Sequence, residues 1–443
     1  MNDASQPTSP TGISATEIIA REPMSRPQVI AVIICILLTA LDGFDILSIS
    51  FASPGIAAEW SINRAALGVV LSMELIGMAA GSIVLGNIAD RFGRRPTILV
   101  CLLVMSSGMM LAGIANTVVS LSSYRFFTGL GIGGMLASCN ALVAEHSNTR
   151  RRNLSVVLMA SGFPLGAIVG GTLASMLLNY FDWRSVFIFG AIVTMSFIVL
   201  VWWFLPESLA YLDKKRPKGA LEKINEILTQ MGHSTISALG SEKAEVAKSS
   251  IAQLFTPGLA RITVILTMAY FFHITTFYFI LKWIPKIVVD MGYEASTAGG
   301  VLVWTNVGSL IGAVLLGFLS SRYTVRALTI IALFGAIVMV SIFGRGYESI
   351  AALSLVAATA GFFTNSAVVG LYALFAQSFP TGVRAGGTGF AIGVGRGGSA
   401  AGPIIAGYLF SIGQSLQTVA LIMAMGSLVA AMLLMLFLRN VSN

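Results

Sequence analysis

The sequence predicts an all-α membrane protein with twelve transmembrane helices in two pseudo-symmetric six-helix bundles. Three observations support this fold class. The chain of 443 residues is 56% hydrophobic and 10% charged, with a mean hydropathy of +0.85, and such a composition has more apolar surface than a soluble core can bury. Its long charge-free runs have room for one or two helices of about 20 residues each. Segments of the first half also recur in the second half.

Twelve apolar segments are predicted to cross the bilayer, six on each side of a polar linker. In chain order they are residues 28–53, 65–88, 96–115, 118–145, 153–178, 184–205, 262–285, 295–320, 327–344, 349–378, 384–411 and 416–438. Residues 1–27 are predicted to be a cytoplasmic tail, because they contain no apolar core followed by a cleavage site. Two bundles are predicted at residues 28–205 and 262–438. The segment 206–261 is rich in Lys, Glu, Ser and Gly and is predicted to link them in the cytoplasm. Residues 439–443 are predicted to form a second cytoplasmic tail.

The basic residues predict the orientation of the chain in the membrane. Most of the 27 Lys and Arg residues fall in the terminal segments and in the loops that follow even-numbered spans. By the positive-inside rule, both termini are expected in the cytoplasm of a multi-pass inner-membrane protein. The net charge of +8 is thereby attributed to topology and not to a nucleic-acid surface. Cys35, Cys101 and Cys139 lie in apolar spans, which argues against a disulfide framework or a metal cluster.

The two halves contain related segments at a nearly fixed offset. GNIADRFGRR at residues 86–95 aligns with GFLSSRYTVR at 317–326, and AEHSNTRRR at 144–152 aligns with AQSFPTGVR at 376–384, one residue further shifted. Duplication in a membrane protein predicts a substrate site near the midplane where the repeats meet. Charged residues occur inside the first, second, fourth, seventh and eleventh spans, which are therefore expected to line the cavity. The third, ninth and twelfth spans carry no charge and the sixth carries one only at its first residue, Arg184, so these four spans are expected to face lipid.

These motifs resemble those of the major facilitator superfamily. GNIADRFGRR is similar to the family's cytoplasmic loop motif, RFFTGLGIGG at 125–134 to its fourth-helix motif, and PES at 206–208 to the end of its sixth helix. The resemblance covers residues 28–438 and implies a gating set on the cytoplasmic face, which comprises Gly86, Asp90, Arg91, Arg94, Arg95, Glu145 and Arg384. Asp90 is expected to cap a helix of the second half and to pair with arginine, as a latch that favours the outward-open state. Ser321 stands where the repeat would require a second aspartate, which weakens a symmetric gate.

Two acids lie inside the first apolar span, in the segment LDGFDILSIS at residues 41–50. Asp42 and Asp45 are three residues apart and therefore share one helical face. An acid in hydrocarbon is costly unless it faces a cavity, a partner or a proton, so the pair indicates a proton or ion pathway. A water-facing structural pair is the alternative, and the sequence leaves open which of the two acids carries the proton.

The same DGFD segment is similar to the first-helix signature of the aromatic acid:proton symporters. This resemblance implies bacterial import of a hydroxybenzoate, protocatechuate, benzoate or gentisate together with protons. The fifth span has Gly162, Phe163 and Pro164 without the full glycine and proline pattern that is typical of antiporters. This incomplete pattern argues against drug efflux.

Three arginine and lysine residues within the spans are candidates for charge pairing. Arg125 is assigned to proton coupling, because its depth allows an ion pair with Asp42 or Asp45. Arg125 or Arg396 is expected to bind a substrate carboxylate, with a structural counter-ion as the alternative for each. Arg396 is preferred, because Arg125 has two acids at its own depth. Lys282 is expected to snorkel to the membrane surface.

The other substrate candidates are weaker. His273 is either a proton relay or a hydrogen-bonded packing residue, and Glu74 is either functional or a helix-packing group. Ring-stacking and hydroxyl-binding candidates are Phe277, Tyr278, Trp304, Asn306 and Asn365. Most aromatic residues of the chain are expected to pack or to face lipid.

The combined prediction is a proton-coupled secondary transporter that imports an aromatic carboxylate by alternating access. The alternatives are a proton-driven exporter of a drug or metabolite and a transport-like sensor without flux. The chain has neither a Walker A motif nor a metal-ligand spacing of His and Cys, so no enzyme activity, metal or cofactor is predicted. The expected partners are the substrate, protons and the bilayer, and the protein is expected to be a monomer.

Overall fold

The computed structural model describes residues 14–239, 251–380 and 383–438. Within these residues the chain forms helices and no strand. The helices are α1 (Ala15–Arg21), α2 (Arg26–Trp60), α3 (Arg64–Phe92), α4 (Arg94–Gly113), α5 (Val118–His146), α6 (Arg152–Leu177), α7 (Arg184–Phe204), α8 (Leu209–Lys215), α9 (Ala220–Gln230), a 3-10 helix (Ile251–Phe255), α10 (Ala260–Asp290), α11 (Ala295–Leu319), α12 (Val325–Phe343), α13 (Ile350–Ser378), α14 (Arg384–Ser411) and α15 (Leu416–Leu438).

The twelve long helices confirm the predicted fold class. Eleven helices of the described residues are long and apolar enough to cross a membrane, and α14 has 28 residues but is less apolar because it is rich in glycine and contains Arg396. Every predicted span agrees with its helix to within seven residues at each end. The largest difference is at α2, which runs past Pro54 to Trp60.

The two halves repeat the same helix packing. In the first half α3 packs on α5, α2 on α6, and α4 on α5 and α7. The second half has the equivalent pairs: α11 packs on α13, α10 on α14, and α12 on α13 and α15. In the most apolar window of α7 and of α12, 33% of the residues are buried, which is the lowest share among the eleven helices. Both helices come from spans that are predicted to face lipid. Helix α4, from a third such span, has 56% of the residues of its window buried.

Close helix contacts also repeat at the offset of the sequence motifs. A Cβ atom added to Gly77 of α3 would lie 2.1 Å from the carbonyl oxygen of Phe126, and one added to Gly308 of α11 would lie 1.8 Å from that of Ala358. The spacing of 308 − 77 = 231 equals that of the loop motifs, 317 − 86 = 231. Small residues allow such backbone approach in membranes, so each half is held together at the same internal position.

A small helical cluster lies beside one end of the first half, and we call this end of the molecule the linker side. It contains α1, which falls within the predicted tail, together with α8 and α9 of the predicted linker. Its apolar core is Ala15, Ile18, Ile19, Leu209, Leu212, Ile224, Leu228, Met231 and Ile236. His233 Nδ1 lies 2.5 Å from Glu22 Oε2, and Thr149 N donates to the Ala20 carbonyl at 3.0 Å. The tail is thus tied to the loop between α5 and α6.

The two halves meet toward the opposite end of the molecule, which we call the far side and which carries the loop between α2 and α3. Helix α14 packs on α3, α11 on α6, and α10 on α2. Arg64 forms an ion pair with Asp290 at 3.0 Å, and Ser72 Oγ donates to the Ala400 carbonyl at 2.8 Å. Toward the linker side, a Cβ atom added to Gly389 or Gly393 of α14 would meet no atom within 4 Å. The described residues therefore form a bundle that is closed on the far side and splayed on the linker side.

Candidate functional site

The acids of α2 lie in the interior of the bundle. Asp42 is 2% exposed and Asp45 is fully buried. Both carboxylate oxygens of Asp45 and Oδ1 of Asp42 are buried without a hydrogen-bond partner among the described residues. An uncompensated buried carboxylate is costly. The pair consequently has the properties of a site whose charge is balanced by a proton or by a mobile partner.

Both Nη atoms of Arg125 are occupied, and its ion-pair partner is Glu74. One Nη atom forms an ion pair with Glu74 Oε1 and donates to the Asp45 backbone carbonyl at 2.8 Å, and the other lies 2.8 Å from the sulfur of Met109. The guanidinium also stacks 5.3 Å from the ring centroid of Phe187. The expected ion pair with the carboxylate of Asp42 or Asp45 is not observed. Glu74 pairs with Arg125 because α3 and α5 pack closely at Gly77, three residues from Glu74.

Lys282 does not snorkel, so that prediction is wrong. The residue lies on α10 in the second half and is fully buried. Its ammonium donates to the Ile46 carbonyl of α2 and lies 3.4 Å from Glu74 Oε2. Lys282 is eight residues before Asp290 at the end of its helix, which corresponds to about 12 Å. Glu74 therefore bridges two cations, Arg125 of its own half and Lys282 of the other half.

Arg396 lies on α14 among tyrosines. It is half-buried, and its Nη1 atom has no hydrogen-bond partner among the described residues. Its charge acts on the carboxyl of Asp42 and on the hydroxyls of Tyr270 and Tyr278. The Tyr270 and Tyr372 hydroxyls are 3.0 Å apart. An unsatisfied guanidinium beside phenol groups can bind a carboxylate and a ring together.

Sequence reasoning did not select Tyr270 as a candidate. A Cβ atom added to Gly395 would lie 2.0 Å from Cδ1 of Tyr270, so the glycine before Arg396 allows this ring to lie against α14. The repeated glycines around Arg396 were the sequence feature that could have indicated a close contact between α14 and an aromatic ring. Phe277 and Tyr278 are both buried, with ring centroids 5.4 Å apart in an edge-to-face arrangement.

The remaining candidates lie away from this group or are tied to the backbone. Both ring nitrogens of His273 are occupied, one by Ser427 Oγ at 3.0 Å and one by the Thr364 carbonyl at 2.9 Å. Asn306 Nδ2 donates to the Leu302 carbonyl and Asn365 Nδ2 to the Ser309 carbonyl, at 2.9 and 2.8 Å. Trp304 is 55% exposed and faces outward. The arrangement favours packing roles for His273, Asn306 and Asn365.

The predicted gating residues of the first half form one network on the linker side. Asp90 pairs with Arg94 at 2.7 Å, and Arg94 also approaches Glu145 at 3.4 Å. Arg95 Nη2 donates to the Trp202 carbonyl at 2.5 Å, and Tyr211 donates to the Arg91 carbonyl. The Asp90 side chain is 71% exposed. In this conformation it pairs within its own half, and Gly86 faces Ala137 of the same half at 3.7 Å from an added Cβ atom.

Glu207 and Ser208 complete this network, and Arg384 lies apart from it. Glu207 Oε1 accepts from the backbone N–H groups of Arg94 and Ser208, both at 2.8 Å. Burial raises the pKa of Glu207, against the opposing effect of these hydrogen bonds. Ser208 Oγ donates to Glu145 Oε2 at 2.5 Å. Arg384 on the second half donates to the Phe379 carbonyl at 3.2 Å.

The family model for the Major Facilitator Superfamily matches residues 35–342 and 266–442. The chain belongs to the major facilitator superfamily. The xylose transporter XylE from E. coli, in a partially occluded inward open conformation, superposes with a TM-score of 0.70 at 18% identity and covers 92% of this chain and 97% of its own. A bacterial homologue of the lysosomal transporter Spinster, in an inward-facing conformation, gives a TM-score of 0.72 at 15% identity, with 93% and 97% covered.

Curated members of this superfamily resemble the chain over nearly its whole length. The gallate transporter of Pseudomonas putida is 28% identical, with 95% of this chain and 94% of the relative covered. The 4-hydroxybenzoate transporter PcaK of the same organism is 30% identical, with 92% of both chains covered. The benzoate transport protein of Acinetobacter baylyi is 30% identical, with 86% and 83% covered. The chain is a multi-pass membrane protein and a secondary transporter, not an enzyme.

Proposed function

We propose that this transporter imports an aromatic carboxylate together with protons across the inner membrane of a bacterium. In this proposal the linker side faces the cytoplasm, so both termini, the linker and the loop network of Asp90 are cytoplasmic. The relatives named for gallate, 4-hydroxybenzoate and benzoate support the substrate class. The proposed domains are two six-helix bundles at residues 28–205 and 262–438, joined by the segment 206–261.

The observation that carries the proposal is the relation between Arg396 and Asp42 across the two halves. The Nη1 atom of Arg396 is buried without a hydrogen-bond partner among the described residues, and the guanidinium lies within electrostatic range of the Asp42 carboxyl without pairing with it. When Asp42 is ionised, it competes for the guanidinium. When Asp42 takes up a proton, the guanidinium is available to the carboxylate of a substrate. A proton and an anion can thus bind together without adding net charge to a low-dielectric cavity, which is the requirement for symport.

The surrounding tyrosines supply the ring-binding part of the proposed site. Tyr270 and Tyr372 present hydroxyls near the guanidinium, and Tyr278 lies on the same helix as Tyr270. Aromatic walls with a few convergent polar groups are typical of small-molecule sites. A ring hydroxyl on the substrate would exchange hydrogen bonds with the paired tyrosines.

Uptake into proteoliposomes tests the proposal. Labelled benzoate, 4-hydroxybenzoate and gallate are offered with an inward proton gradient, with no gradient, and with a proton ionophore. We expect accumulation of at least one acid with the gradient, and equilibration without it. Benzyl alcohol serves as the uncharged control and should not accumulate. Accumulation only under an outward-directed proton gradient would support an exporter, and uptake that ignores the gradient would overturn proton coupling.

A further inference from the structure

Lys282 is a cation of the second half that is held by the first half. It is fully buried, and its ammonium contacts the Ile46 carbonyl and Glu74 Oε2. A buried ammonium is costly unless charges and hydrogen-bond acceptors compensate it. Both of its compensating groups lie on α2 and α3, across the interface between the halves.

This interface must separate when the far side opens. Alternating access in duplicated transporters is a largely rigid rocking of one half against the other. Opening the far side moves α10 away from α2 and breaks the contact between Ser72 and Ala400. Lys282 belongs to the moving half, so it must leave Glu74 and Ile46 at the same step.

The charges around Glu74 are nearly balanced only when Lys282 is present. The charged groups of this cluster are Asp42 and Asp45 of α2, Glu74 of α3, Arg125 of α5, Arg396 of α14 and Lys282 of α10. The titratable side chains of Tyr278 on α10, Cys101 on α4 and Cys139 on α5 also lie within electrostatic range of its acids. The first half supplies all three acids and one of the three cations, Arg125. Without Lys282, the negative charge of the acids of the first half exceeds the positive charge around them, and protons can neutralise the excess.

We propose that Lys282 is the mobile cation that enters the acid cluster when the far side closes and thereby expels the coupled proton. This proposal rests on the proton coupling proposed above. With the far side open, Lys282 is withdrawn and an acid of the pair Asp42 and Asp45 holds a proton. On closure the ammonium returns, the O–H bond of that acid breaks, and its proton passes to water on the linker side. The ionised Asp42 then competes for Arg396 and displaces the substrate.

Accessibility of the far-side interface tests this assignment without any substrate. Cys35, Cys101 and Cys139 are replaced by Ala, and Ser72→Cys supplies one thiol that is buried against α14 in the closed state. Its labelling by a membrane-impermeant maleimide is measured from mildly acidic to mildly alkaline pH, normalised to the same thiol in denatured protein. Lys282→Met is compared with Lys282→Arg, and Arg345→Met, in an exposed loop, is the control for removal of a positive charge.

We expect labelling of the Ser72→Cys thiol to increase as the pH falls when Lys282 is present, because protonated acids no longer hold the ammonium. Lys282→Met should raise labelling at neutral pH about tenfold, equivalent to about 1.4 kcal/mol, and should abolish its pH dependence. Lys282→Arg should retain the pH dependence, which shows that the protein folds and that charge is the relevant property. Arg345→Met should behave as the parent.

Two results would overturn the assignment: Lys282→Met labels like the parent, or its labelling keeps the parent pH dependence. Failure of the proposed function gives a different result. If the parent protein accumulates no aromatic acid, the substrate proposal fails, and the labelling experiment still reports whether Lys282 links protonation to closure.

Discussion

Replacing Arg396 by Gln should remove the charge that we propose anchors the substrate carboxylate. The Nη1 atom of Arg396 has no hydrogen-bond partner among the described residues, whereas both Nη atoms of Arg125 are occupied by Glu74, Met109 and the Asp45 carbonyl. A hydrogen bond to a charged group contributes about 1.5–3 kcal/mol. Arg396 is half-buried, and water in the cavity screens it, so we expect the lower part of this range. A loss of about 2 kcal/mol weakens binding about 30-fold.

The assay compares a charged ligand with its uncharged analogue. Binding of benzoate and of benzamide is measured by calorimetry on the purified protein and on Arg396→Gln, with Arg345→Gln in an exposed loop as the control. Benzoate affinity should fall about 30-fold in Arg396→Gln and benzamide affinity should barely change. Arg345→Gln should match the parent for both ligands. Equal losses for benzoate and benzamide, or no loss for benzoate, would refute the anchoring role.

The remaining predictions concern coupling, gating and packing. Asp42→Asn and Asp45→Asn should each abolish gradient-driven accumulation, because an amide cannot carry the coupled proton, and normal accumulation by both variants would show that the coupling assignment is wrong. Asp90→Asn should slow uptake cycles more than it weakens equilibrium binding, and the opposite pattern would exclude a latch. Gly308→Ala should lower the thermal midpoint by forcing α11 from α13 at a cost of about 1–3 kcal/mol, whereas Gly300→Ala, which meets no atom within 4 Å, should leave it unchanged or raise it.

The fold was predictable because it depends on short-range patterns. Apolar length determines the spans, and the distribution of Lys and Arg determines their expected orientation. The repeat at an offset of 231 residues reappears in the structure as equivalent contacts at Gly77 and Gly308. Pro54 of α2 and Pro285 of α10 share this offset, since 285 − 54 = 231. The two halves therefore share helix-packing contacts as well as sequence motifs.

The pairing of the buried charges was not predictable from the same patterns. Depth along a helix placed Arg125 correctly beside Asp45, but it could not give the rotation of α3, which brings Glu74 to Arg125 instead. Lys282 was misjudged because its position was considered within its own half. Its partners lie on α2 and α3, and a pairing across two bundles leaves no sequence signal at a fixed spacing.

The distribution of charge between the halves suggests why transport and closure are linked. The first half contributes Asp42, Asp45 and Glu74 against Arg125, which leaves 3 − 1 = 2 negative charges when all are ionised. The second half contributes the two cations Lys282 and Arg396. In the proposed cycle, closure brings these charges together on the far side, so the two halves neutralise each other in the absence of cargo. Opening separates them, and each half then needs a compensating ion: protons for the acids of the first half and an anion for Arg396 of the second. A cargo that is an organic acid with its protons meets both needs, and for that reason the same opening step would favour loading both.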